Sequence, residues 1–183
     1  MDESGQDTRG RLFVVSVVVT DEEREALRQV CERVEQETGK GRVKWIEAPY
    51  RRRLAYIQRM LKEPLAKGAL CFALYASTKD YSRLTIESIA QSLRRSDESA
   101  FEATVLIDGL PRSQERVVGL QLRRMGIPVR KVRGVKKDEN EALIRLADAV
   151  CGLSRAAFEG QTEMRELFER GVKNGLLRDV SGN

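Results

Sequence analysis

Three aspartates stand where carboxylates are unexpected, and their types and spacing suit a divalent-metal site. Asp2 lies at the edge of the first apolar run, Asp108 ends the apolar stretch "VLID", and Asp148 lies at the flank of the apolar face of "LIRLADAVCG". Taken singly, they suit a frayed terminus, an Asp-Gly turn and a solvated helix position. Brought together, three carboxylates repel one another unless a cation compensates. Mg²⁺ and Mn²⁺ prefer such oxygen ligands, so they are the cations we expect.

The composition excludes several other kinds of catalytic site. The 183 residues include no histidine, which removes Ser-His-Asp and Cys-His catalysis and zinc sites with histidine ligands. The three cysteines are far apart and form no CxxC motif, so neither a disulfide framework nor a zinc knuckle is indicated. Hydrolytic chemistry in this chain must use carboxylate, Lys, Tyr or Ser side chains, or a metal ion held by oxygen atoms.

The charge balance favours an anionic partner. The net charge is +5, and basic residues cluster at 51–53, at 123–124 and, most densely, at 130–137, just before the segment that carries Asp148. Such clusters suit a nucleic-acid backbone, although solubilising surface charge is an equal alternative for any one of them. Trp45, Tyr50 and Tyr56 are the only aromatic residues interleaved with basic ones, so a base-stacking platform is not evident.

Apolar periodicity predicts strands and helices in alternation. Strands are expected at 12–19, 43–46, 69–76, 101–108 and 127–132. Helices are expected after a Thr20–Glu23 capping box as far as Gly39, from Pro49 to near Pro64, from Ser82, from Ser113 to Gly126, from Asp138 through Cys151 as far as Phe158, and through Met164–Val172 to Gly175. Each of these segments must help to position the three aspartates.

This order of elements predicts an α/β fold with a mixed sheet flanked by helices. The turn-rich segment 5–10 predicts an antiparallel hairpin at the start, and the later strand–helix alternation predicts parallel pairs. Asp2 and Asp108 become neighbours if their strands pair, and a helix that crosses the sheet then brings Asp148 to them. We expect one domain at 1–159, with a C-terminal helix and tail at 160–183 packed on it.

The motifs "DESG" at 2–5, "ID" at 107–108 and "LADAVCG" at 146–152 resemble, in order and type, the family called domain of unknown function 3800. The likeness covers residues 1–155, and the segments around Lys44 and Tyr81 also look similar. The chain departs from the family pattern at two positions. Directly after "DESG" the family has Asp, whereas this chain has Gln6 and then Asp7. Three residues before the helix aspartate the family has Gln, whereas this chain has Arg145. The strand residues that precede "DESG" in the family are reduced to Met1.

The resemblance implies a ribonuclease H-like fold, in which clustered acids hold two divalent metals and phosphodiester bonds are cut. It implies Asp2, Asp108 and Asp148 as metal ligands. Lys44 is a candidate for a phosphate contact or for stabilising transition-state charge, with an exposed strand lysine as the alternative. Glu3 should point away from Asp2, because successive strand residues face opposite sides.

The sequence therefore predicts a metal-dependent nuclease acting on DNA or RNA. Two alternatives are a nucleic-acid-binding module without catalysis, and an interaction protein that docks through the apolar stripe of the last helix, 161–175. No apolar stretch is long enough to span a bilayer, and residues 1–11 are polar, so we expect a cytoplasmic protein without membrane association. The oligomeric state stays open.

Overall fold

The structure is a computed structural model that describes residues 1–5, 11–94 and 101–182. Its strands are β1 (Asp2–Ser4), β2 (Phe13–Val18), β3 (Leu70–Tyr75), β4 (Ala103–Asp108), β5 (Val129–Val135) and β6 (Leu177–Asp179). Its helices are α1 (Arg24–Glu37), α2 (Tyr50–Met60), α3 (Tyr81–Leu93), α4 (Arg112–Arg124), α5 (Ala142–Phe158) and α6 (Thr162–Lys173). The predicted α/β class is confirmed.

The strands form a mixed arrangement, as the sequence predicts. Strand β2 is antiparallel to both β1 and β3, whereas β3 pairs in parallel with β6. Strands β4 and β5 form a separate parallel pair. The antiparallel start of the fold is thus confirmed, and the connecting turn predicted at 5–10 lies, apart from Gly5, outside the described residues.

Met1 joins these two groups of strands. Its backbone nitrogen donates to Leu106 O at 2.8 Å, and Asp108 N donates to Met1 O at 3.2 Å. This pair of bonds is the pattern of a parallel ladder, with Met1 opposite Ile107. The chain at Met1 therefore runs alongside β4 on one side while β1 pairs with β2 on the other.

Two apolar clusters cover the two faces of the strands. Helices α3 and α4 pack on one face, where Met1, Phe13, Ile89, Ile107 and Leu122 are buried. Helices α1, α2, α5 and α6 pack on the other face. Three residues of the apolar stripe of α6 (Met164, Leu167 and Phe168) are buried in this second cluster, whereas the fourth, Val172, is 40% exposed. Phe72 of β3 contacts Phe168 edge to face at 4.9 Å.

Three local predictions are wrong. Residues 43–46 form no strand; Trp45–Glu47 is a short 3-10 turn, because the Glu47 carboxylate accepts from Lys44 N at 3.3 Å and closes the chain locally. Thr20 does not cap α1, which begins at Arg24. Asp138 does not cap α5 either: it lies in a separate 3-10 turn, and the Glu141 side chain accepts from Leu143 N instead.

Candidate active site

Asp2 and Asp108 lie side by side on one face of the strands. Because Met1 is opposite Ile107 and both are buried against α3 and α4, the next residue of each strand must face the other way. Glu3, as expected, faces away from Asp2: Thr85 Oγ1 on α3 donates to Glu3 Oε2 at 2.5 Å. The strands therefore direct two of the three aspartates toward α5.

Helix α5 crosses the strands at this point. Ser16, the β2 partner of Asp2, donates its hydroxyl to Ala147 O at 2.6 Å. One turn later, the Cys151 thiol lies 3.4 Å from Asp2 O. Asp148 follows Ala147 directly, so the helix brings the third carboxylate to the same end of the strands.

The 3-10 turn contributes a cation and a hydrogen-bond donor to the three acids. Lys44 Nζ donates to Asp108 Oδ2 at 2.7 Å, and Trp45 N donates to Asp148 Oδ2 at 2.6 Å. The side chain of Asp108 is 15% exposed and that of Lys44 is 42% exposed. Lys44 is thus not a strand lysine but the positively charged partner of Asp108, and solvent reaches it.

The charges of the three aspartates act on one another. Burial, followed by the charges of Asp148 and Asp108, raises the pKa of Asp2 to about 7. Burial also raises the pKa of Asp148, and the charge of Asp108 adds to the effect. The hydrogen bond to Asp108 raises the pKa of Lys44. Lys44, Lys40 and the Met1 amino group act on these carboxylates in turn, and a divalent cation would compensate the remaining repulsion among the three acids.

The three aspartates are nevertheless not arranged to coordinate a metal ion in this structure. Within residues 1–5, 11–94 and 101–182, no three Asp, Glu or Cys side chains are arranged to hold a metal ion. Asp108 and Asp148 are engaged with Lys44 and Trp45 N instead. The donor set therefore fits Mg²⁺ or Mn²⁺ in chemistry and in charge, and binding would require these carboxylates to turn from their present partners.

The backbone amide of Trp45 is a site feature that the sequence did not reveal. The indole lies directly against Gly152 of α5, where any added Cβ would overlap it. From the other side, Arg53 stacks its guanidinium 5.3 Å from the indole centre. A glycine in the middle of a helix, one turn after Asp148, is the signal that could have indicated this close approach.

A buried network of charged residues holds the backbone that leads into the same turn. Lys40, whose side chain is fully buried, donates to Val43 O at 2.9 Å and to Glu35 Oε1 at 3.2 Å. Arg145 holds the same Glu35 through both carboxylate oxygens, at 2.6 and 2.7 Å. Through Glu35 and Lys40, Arg145 is therefore a positioning residue for the backbone next to Lys44.

Basic residues reach the site from two sides. A pocket of about 170 Å³ beside Asp108 is lined by Arg42, Lys44, Lys136 and Arg145, among others. Lys136 belongs to the predicted cluster at 130–137. The other two clusters are placed differently: Arg53 stacks on Trp45, and Arg123 donates to Val129 O at 2.9 Å.

The aromatic residues near these basic clusters offer no platform for bases. Trp45 and Tyr56 are buried, and Tyr50 donates its hydroxyl to Glu163 at 2.7 Å. Any nucleic acid held here would be bound through its phosphates rather than by stacking.

No family model, curated protein or solved structure matches this chain. The resemblance to the domain of unknown function 3800 family thus has only the sequence motifs behind it. No helix among the described residues is long and apolar enough to cross a membrane.

Proposed function

We propose that this protein is a divalent-metal-dependent nuclease of ribonuclease H-like architecture. The observation that carries the proposal is the convergence of Asp2, Asp108 and Asp148, from three separate elements, on one end of the strands, where their charges act on one another. A strand order that is antiparallel first and parallel later supports the ribonuclease H-like part. The family resemblance implied the same three residues.

The three aspartates would hold Mg²⁺ or Mn²⁺. When bound, such ions activate water for attack on phosphorus and stabilise the leaving oxygen. Metal binding and protons compete for the same carboxylates, because a ligand must be deprotonated. Asp2, whose pKa is raised to about 7 by burial and by the neighbouring acids, is a ligand whose proton a metal would have to displace.

Lys44 and Lys136 would hold the substrate. Lys44 is the side chain that lies between Asp108 and solvent, so release from Asp108 on metal binding would leave its ammonium group free to contact a phosphate oxygen. Lys136, in the adjoining pocket, would neutralise a neighbouring phosphate. The scarcity of exposed aromatic residues argues for recognition of the sugar-phosphate backbone.

A nucleic-acid-binding module without catalysis is the second candidate, and one observation favours it. The described residues present no ready-made set of three metal-holding acids. The third alternative, docking through the stripe of α6, loses most of its surface, because Met164, Leu167 and Phe168 are buried within the chain's own core and only Val172 of the stripe, at 40%, is exposed.

Cleavage assays separate the first two candidates. We expect plasmid DNA, single-stranded DNA or RNA to be cut in Mg²⁺ or Mn²⁺ and not in EDTA. Asp108→Asn should lower the rate by about a hundredfold or more, since it removes one proposed ligand. Asp80→Asn, at an exposed aspartate paired with Arg83, is the matched control and should cut normally. Salt-sensitive binding with no cleavage of any substrate would instead establish the binding module.

A further inference from the structure

Helix α4 carries an exposed apolar pair on the side that faces away from the strands. Val117 is 52% exposed and Leu120 is 44% exposed. They are one turn apart, so their side chains are neighbours on the helix surface. The inner side of the same helix is already packed, since Val118 and Leu122 are buried in the cluster that covers the strands. The apolar pair therefore belongs to a second, outer face of α4.

Arginines stand at both ends of this pair. One ridge of the helix runs through positions at four-residue spacing, which are Arg112, Arg116, Leu120 and Arg124. These three arginines are exposed and form no ion pair with any of the described residues. Arg123, by contrast, is turned back to Val129 O. Arg112, Arg116, Val117, Leu120 and Arg124 together make up the outer face of α4.

The acids of the surrounding elements are engaged elsewhere. Helix α4 packs mainly against α3 and β5, and the acids of these three fully described elements are Glu87 and Glu115 alone. Glu87 accepts from Arg83 at 2.7 Å, and Glu115 accepts from Gly134 N at 2.9 Å. The loops that flank α4, at 109–111 and 125–128, contain no acid. The outer face thus presents positive charge around an apolar centre.

This combination favours a protein partner over phosphate or lipid. An apolar centre with a charged rim is the usual composition of a protein–protein interface, in which arginine is enriched. A nucleic-acid backbone would satisfy the arginines but would leave Val117 and Leu120 against phosphate oxygens, where their burial gains nothing. A bilayer surface requires a broad apolar face to insert, and the broad apolar face of α4 is already used in the core.

We propose that the outer face of α4 binds an acidic amphipathic helix of a partner protein. Arg116 and Arg124 are two turns apart, or about 12 Å along the helix. The partner helix would place apolar side chains on Val117 and Leu120 and carboxylates at a matching spacing, where each can form a bidentate pair with an arginine. A contact of this size suits a transient complex. The surface is separate from the proposed nuclease site and does not depend on it.

The test measures binding of a labelled helical peptide to the full chain by fluorescence anisotropy. The probe, acetylated and amidated, is Ala-Ala-Glu-Leu-Glu-Ala-Leu-Leu-Glu-Glu-Leu-Glu-Ala-Glu-Ala, which places glutamates along both edges of a leucine stripe. A hydrocarbon staple on its opposite face holds it helical. Two control peptides replace either the leucines by alanine or the glutamates by glutamine. We expect saturable binding of the probe and about tenfold or more weaker binding of either control.

Variants of the full chain locate the binding. Arg116→Ala and Leu120→Ala should each weaken probe binding about fivefold or more. Their matched controls are Arg170→Ala and Val172→Ala, at exposed positions of α6 on the opposite face of the strands, and these should bind the probe normally. All four side chains are exposed, so the fold should survive each change, which circular dichroism checks.

The proposal is overturned if the probe does not bind, or if neither Arg116→Ala nor Leu120→Ala weakens it more than the α6 controls do. Equal binding of the leucine-free control peptide also overturns it, because the contact would then be one of charge alone. Without probe binding, duplex DNA that binds in EDTA and is lost in Arg116→Ala would make the face a nucleic-acid surface. Self-association that Arg116→Ala abolishes, again without probe binding, would assign the face to a second copy of the chain. None of these measurements involves cleavage, so the result is independent of the proposed nuclease activity.

Discussion

At the scale of single residues, the raised pKa of Asp2 is the property on which the proposed metal site depends. This carboxyl group is buried next to two other aspartates, of which Asp108 forms an ion pair with Lys44. Its pKa of about 7 means that the folded protein holds a proton there more tightly than the unfolded chain does. Stability and metal binding should therefore both depend on the charge of this residue.

The first prediction concerns stability against pH in EDTA. The folded pKa of Asp2 lies above its ordinary value of 3.8, so its favourable contribution is complete below about pH 4 and is lost as the pH rises to about 7. Asp2→Asn removes this titration. In urea unfolding at about pH 5 and about pH 8, the wild type should lose more stability between the two than Asp2→Asn does. Equal losses would show that Asp2 is not buried near the other acids.

The second prediction concerns the buried ion network. Arg145→Met leaves Glu35, which is 1% exposed, with Lys40 as its remaining charged partner. Removing one member of a buried ion pair costs about 3–5 kcal/mol, so urea unfolding should show a loss of that order. Arg83→Met, at an exposed ion pair on α3, is the control and should change stability little. A loss below about 1 kcal/mol for Arg145→Met would contradict the buried network.

At the scale of elements, the turn that carries Lys44 and Trp45 links the separate parts of the site. It connects to Asp108 of β4 through Lys44 and to Asp148 of α5 through Trp45 N. The packing of the Trp45 indole against Gly152 of α5 fixes the position of this turn. A change on α5 that never touches a carboxylate should therefore displace both contacts.

The third prediction tests this linkage with Gly152→Ala. The added methyl group overlaps the Trp45 indole and must push the turn outward. Trp45 is the only tryptophan, so its fluorescence should shift to the red, and metal-dependent cleavage should fall about tenfold or more. Gly119→Ala, in helix α4, meets only ordinary contacts and should leave both signals unchanged. Unchanged fluorescence in Gly152→Ala would show that the Trp45 indole does not pack against Gly152.

Most of the elements could be predicted from the sequence, because their apolar periodicity is strong. The run "FVVSVV" of β2 and the amphipathic pattern of α5 are examples. The turn at Trp45 could not be predicted, because "VKWI" has strand-like composition and a local bond from Lys44 N to Glu47 decides its form. Strand β6 could not be predicted either, because its three residues, "LRD", are too few to show an alternation of apolar and polar side chains.

The candidate site could be predicted only in part. The sequence makes the three aspartates candidates because they lie at the edge, the end and the flank of apolar segments, and pairing between the strands of Asp2 and Asp108 is a testable consequence. The partners of Asp108 and Asp148 depend on how a non-repetitive turn packs across the end of the strands. That packing comes from tertiary contacts such as Lys40 with Val43 O, which no local pattern encodes.

At the scale of the whole molecule, helices on both faces leave one end of the strands for chemistry. The acids lie there, and the adjoining pocket is lined by Arg42, Lys44, Lys136 and Arg145 as well as by Glu47, Asp108 and Glu141. In the proposed nuclease, a net charge of +5 would attract an anionic polymer to the surface generally, whereas the acids would repel it in the absence of a metal ion. Divalent metal is therefore expected to govern both the chemistry and the approach of substrate.

The most direct test is Mn²⁺ binding by the purified full chain, measured by electron paramagnetic resonance of the free ion near neutral pH. The account predicts binding in the wild type and in Asp80→Asn, and a loss of about tenfold or more in affinity for Asp2→Asn, Asp108→Asn and Asp148→Asn alike. No binding at millimolar Mn²⁺ in the wild type, or equal binding in all of these variants, would contradict it.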